Sequence, residues 1–170
     1  MIDRRAYLRF ALAGLAAGLL ASSPAFADPA FKRFLPLLVD LDGWQGKKPD
    51  GMSMEMAGAN MTTATRDYQR GPAQLHASVV IGSAAAGALG ATMAGMNVET
   101  SEGHMITTTI NGLKATKTYN SKDKSGAIIV ALGEAAMFNV GYSGLTEEEA
   151  LPLAQKFDWK ALQAQAAELK

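Results

Sequence analysis

The chain has 170 residues, 16 basic and 16 acidic side chains, 48% hydrophobic and 19% charged content, and no cysteine. A zero charge balance excludes the clustered Lys/Arg surface that phosphate backbones require, so no nucleic-acid partner is expected. Without thiols there is no disulfide framework, thiolate metal site or cysteine nucleophile, and stability has to come from packing.

Residues 1–27 read as a cleavable export signal. Arg4, Arg5 and Arg9 open it, an apolar run follows from Phe10 to Ala21, and Ala25-Phe26-Ala27 supplies the small-residue cleavage site. The run is too short to span a bilayer, and no other segment comes closer, so a mature chain without a transmembrane segment is expected in the periplasm. Asp3-Arg4-Arg5-Ala6-Tyr7-Leu8-Arg9 resembles the twin-arginine export motif, with Asp3 in place of the usual Ser or Thr, and ordinary Sec export is the alternative. Removal of this segment leaves 143 residues with 13 basic and 15 acidic side chains, the size of one ordinary domain, residues 28–170.

Phe31, Phe34, Leu35, Leu38 and Leu41 recur at helical spacing, so a helix bent near Pro36 is expected over residues 28–41, closed by Asp42-Gly43 with Trp44 as an anchor. After a turn-rich connector the period changes to two. Met52, Met54 and Met56 alternate with Ser53 and Glu55, Gly58-Ala59-Asn60 reads as a turn, and residues 61–69 and 73–82 make two further strands around Arg70-Gly71-Pro72. Residues 83–97, rich in Ala, Gly and Met, suggest a short helix or a mobile lid. Asn111-Gly112 is the strongest hairpin signal, joining 105–110 to 113–119, and strands 127–132 and 136–142 follow. Thr146 with Glu149 forms a capping box opening a helix that contains Pro152, and Asp158 caps a last helix through Trp159, Leu162 and Leu169. The order implies an α+β domain: one mostly antiparallel sheet of about six to seven strands covered by N- and C-terminal helices.

The entry through Asp42-Gly43-Trp44, Arg66-Asp67-Tyr68 at a strand end, Ile110-Asn111-Gly112 before a strand ending in Tyr119, and Asp158 four residues before Leu162 resemble a family of small secreted bacterial proteins. More distantly, the element order is similar to the PsbP/DcrB-like α-β-α fold of secreted and lumenal accessory proteins. The resemblance implies an accessory role and carries no catalytic residue onto this sequence.

One constellation could carry chemistry. Met52, Met54, Met56 and Met61 offer soft thioethers suited to Cu(I), to which His76 and His104-Met105 could add imidazole or sulfur. The same alternation marks a core-facing strand, and methionine is a common gap filler, so core packing is the expected role, with copper binding and an apolar ligand or partner surface as the alternatives. Glu147, Glu148 and Glu149 suit the first turn of a helix and need no ligand. Gly141-Tyr142-Ser143-Gly144 misses a nucleophile elbow by one position, and the glycines from Gly87 to Gly95 match no phosphate loop. Trp44, Tyr68, Tyr119, Tyr142 and Trp159 are expected to close the core, with a groove for a peptide or lipid beside residues 83–97 as the other use of that region. The expectation is therefore a non-enzymatic binding protein without a cofactor, engaging an envelope component, with a copper-binding protein as the alternative.

Overall fold

A computed structural model describes residues 28–56, 59–92, 94–95, 97 and 98–169. The expected export signal lies outside the described residues. Nine strands occur among those described: β1 (Gln45–Gly46), β2 (Asp50–Met56), β3 (Ala59–Arg70), β4 (Ala73–Gly82), β5 (Val98–Thr100), β6 (Gly103–Ile110), β7 (Leu113–Asn120), β8 (Ser125–Gly133) and β9 (Ala136–Ser143). Three α-helices accompany them, α1 (Ser83–Thr92), α2 (Glu147–Ala154) and α3 (Trp159–Ala167). The α+β arrangement agrees with the sequence, but the strand number exceeds six to seven. The two-residue β1 and three-residue β5 are too short for a period-two pattern to register.

All pairings are antiparallel, in the order β1-β3-β4-β9-β8-β7-β6-β5, with β2 beside β1 on the outer side of β3. Two meanders therefore meet at β4 and β9. The first runs outward to inward through β3 and β4. The chain then crosses by way of α1 to the far edge at β5 and returns strand by strand to β9. Asn111 and Gly112 both have positive φ, 52° and 81°, as a two-residue hairpin between β6 and β7 requires.

Side-chain alternation gives the sheet two unlike faces. On one, Leu75, Val79, Ile128, Val130, Phe138 and Val140 are buried against Phe157, Trp159 and Leu162 from the C-terminal helices and Phe34 and Leu38 from the N-terminal segment. Tyr68, Phe138 and Phe157 meet ring to ring, with centroids 6.1 and 5.1 Å apart. Ala85 and Leu89 of α1 are buried outside this cluster, which places α1 on the opposite face beside β3, β4 and β9.

The expected first helix is instead two 3-10 turns, Ala30–Arg33 and Leu35–Leu37. Pro36 lacks the N–H that an α-helix would use and restricts the residue before it, so the chain tightens into short turns that still aim Phe34 and Leu38 at the core. Two glycines let this segment lie flat. A Cβ on Gly51 would stand 2.7 Å from the Phe31 ring, and one on Gly46 would stand 2.8 Å from the Arg66 guanidinium. Arg66 itself donates to the carbonyls of Leu38 (2.7 Å) and Lys47 (2.8 Å) and pairs with Asp40, while the Tyr68 hydroxyl donates to Val39 O at 2.7 Å.

The C-terminal helices follow the sequence closely. Thr146 and Glu149 exchange both bonds of the capping box, and Asp158 accepts from the amides of Lys160 and Ala161. If the two faces differ as described, Ile128→Ala costs about 2–5 kcal/mol in urea denaturation. Thr109→Ala, exposed on the other face, stays within about 0.5 kcal/mol of the parent.

Candidate functional site

The face away from the C-terminal helices carries the groups that packing leaves over. At its outer corner, β2 pairs with β3 so that Met54 lies opposite Met61, Met52 opposite Thr63 and Met56 opposite Ala59. Alternation puts all four methionines on this face, with Ser53 and Glu55 on the other. Met52, Met54 and Met56 are 49, 42 and 65% exposed, and Met61 is half-buried. The expectation that this stripe packs in the core is therefore overturned. Period two showed that the methionines share a face; it could not show that β2 is an edge strand whose face runs past its cover.

His76, the proposed imidazole companion, sits on the same face but not with the methionines. It pairs in register with Asp67, six residues along β3 from Met61, about 20 Å at strand spacing. There it belongs to an open cleft of about 660 Å³ lined by Lys47, Asp67, Gln69, Gln74, His76 and Gly141. The His76 Nδ1 lies 2.7 Å from Asp67 Oδ1, and Lys47 Nζ donates to Asp67 Oδ2 at 3.2 Å. The His76 bond, helped by Lys47, holds the Asp67 carboxyl below its usual range against a smaller opposing effect of burial. The Asp67 charge in the cleft is thus paired, and Gln45, Gln69 and Gln74 add amide side chains to the lining.

His104 lies on the helix side of the sheet. Its Nε2 is 2.5 Å from Glu147 Oε2, and Lys117 donates to Oε1 of the same carboxylate. Burial by itself would raise the Glu147 pKa, but the bonds from Lys117 and His104 outweigh it and leave the carboxyl below its ordinary 4.5. Glu147 therefore ties the first turn of α2 to β6 and β7, beyond the capping role expected from the sequence. No sequence pattern announces this cluster, whose members are 30 and 43 residues from Glu147.

Trp44, Tyr68, Tyr142 and Trp159 are buried and Tyr119 is half-buried against the same core, as expected of them. Burial pushes the Tyr68 phenol up to about 12 and raises that of Tyr142, so neither is poised for proton transfer near neutrality. Among the described residues, no three His, Asp or Glu side chains gather as metal ligands, and no helix is long and apolar enough to cross a membrane. Compared with family models, curated proteins and solved structures, the chain matches none.

The lowered Glu147 pKa gives a signed expectation. A carboxyl with a depressed folded-state value contributes stability that is complete above its unfolded value, near 4.5, and is lost as pH falls through the folded value. Glu147→Gln consequently lowers Tm at neutral pH, and the gap from the parent closes on acidification below pH 4.5, read by thermal melts across pH.

Proposed function

We propose that this chain is an exported, non-enzymatic accessory protein of the cell envelope that binds through the methionine-bearing edge of its open face. The observation that carries the reading is where exposed apolar bulk is found. Among the described residues, the exposed large hydrophobic side chains are Met52, Met54, Met56 and Val98, all on the two edges of the sheet, three of them consecutive along one face of β2. A long edge strand with apolar side chains in water is a site where another surface would be expected to sit.

The basic, apolar and small-residue order of residues 1–27 supports export to the periplasm. The titratable groups support binding over chemistry: Asp67 with His76 and Lys47, and Glu147 with His104 and Lys117, are each satisfied within their own cluster.

The test is positional. A photo-cross-linking residue at Thr63, on the methionine face beside Met52, should form a discrete adduct in envelope preparations. The same probe at Lys160, exposed on α3, should not. Equal labelling from both positions, or retention of the chain in the cytoplasmic fraction, overturns the reading.

A further inference from the structure

We infer that Met52, Met54, Met56 and Met61 form a thioether site for a soft monovalent metal ion, Cu(I) in its envelope setting. This rests on the reading of the methionine edge as the binding surface and names its ligand class. Met54 and Met61 are direct cross-strand partners, so their Cβ atoms stand about 4.5–5.5 Å apart. Met52 and Met56 flank Met54 on the same face, each about 6.6–7 Å along the strand. Unbranched side chains with three rotatable bonds and polarisable sulfur can close the gap from Met54 to Met61 and to one flanking methionine, so the sulfurs of Met54, Met61 and either Met52 or Met56 converge on one ion with the backbone unmoved.

The surroundings select the metal. Ser53 and Glu55 alternate to the other face, and Thr63 directs its hydroxyl to the Met52 carbonyl at 3.5 Å. Asp50, the carboxylate of β2 on the methionine face, lies beyond Met52 and accepts from the Gly51 amide at 2.8 Å. His76 is bonded to Asp67 about 20 Å away. A neutral, all-sulfur donor set suits Cu(I) and its closed-shell analogue Ag(I), and offers little to Cu(II) or Zn(II), which favour imidazole and charged ligands. Thioethers do not titrate, so affinity should be flat from about pH 5 to pH 8, the range in which imidazole changes charge. Solvent exposure gives the ion a direct path in and out.

The purified exported chain is titrated with Ag(I) and, under a reductant, with Cu(I) against a colorimetric Cu(I) chelator. One ion per chain is expected for each, with Cu(II) and Zn(II) left unbound. Replacing Met52→Leu, Met54→Leu and Met56→Leu together abolishes binding, and His76→Gln leaves it unchanged. Without any variant, Ag(I) shifts the methyl resonances of the four edge methionines and leaves those of Met105 and Met137 in place. Metal retained by the triple variant, loss of metal in His76→Gln, affinity that falls on acidification, or unshifted edge methyls each overturns the inference. The leucines keep the edge apolar, so cross-linking from position 63 reports separately on docking. Its failure with Ag(I) still bound sinks the docking reading and spares this one.

Discussion

Burial of Ile128, Val130, Phe138 and Val140 on one side of the sheet sets the register of every neighbouring strand, because a slip of one residue would turn each of these side chains into water. That constraint propagates outward through continuous pairing. Once Val79 lies opposite Phe138, Ala64 must lie opposite Val79, and Gly51 opposite Ala64. Met52 and Met54, one residue out of phase with Gly51, are then committed to the far face. The exposure of the methionine edge is thus a geometric result of the core, reached through four strands, and not a local property of β2.

The N-terminal segment shows how a segment without regular structure is held. Arg66 projects from β3 on the core side, where it bonds the Leu38 and Lys47 carbonyls and Asp40, and its guanidinium lies 5.2 Å from the Tyr68 ring centroid. Such a donor fork holds the Leu38 and Lys47 carbonyls at once, tying the N-terminal segment to the connector that follows β1. Arg70 does similar work lower on the strand, stacking 4.6 Å over Trp44. Together they fasten residues 38–47 across the end of the core, and Gly46, lacking a Cβ, lets the Arg66 guanidinium lie close.

Local signals were legible and long-range ones were not. The Asn111-Gly112 turn, the Thr146/Glu149 capping box, the Asp158 cap and the strand periods all follow from residues within a few positions of one another, and each is present in the structure. Helical spacing over residues 28–41 misled, since Phe34 and Leu38 face the core from 3-10 turns as readily as from an α-helix. The pattern at Met52 to Met56 identified a shared face correctly but not which face, because that depends on pairing with β3 and, through it, on β4 and β9. The Glu147 cluster depends wholly on such pairings, so no window of sequence contains it, whereas Asp67 and His76 stand nine residues apart on one hairpin and needed only its register to be brought together.

The seam between the two meanders has a consequence for how the molecule comes into being. β4 spans residues 73–82 and finds its central neighbour only in β9, residues 136–143. Its hydrogen bonds on that side therefore wait while more than fifty intervening residues build the rest of the sheet, the high sequence separation that slows β-rich chains. Until then β4 presents Leu75, Ala77 and Val79 along an open margin. The second meander, by contrast, grows by neighbouring hairpins alone, so assembly closes at the seam, and any machinery that receives this chain meets it unfinished until β9 has arrived.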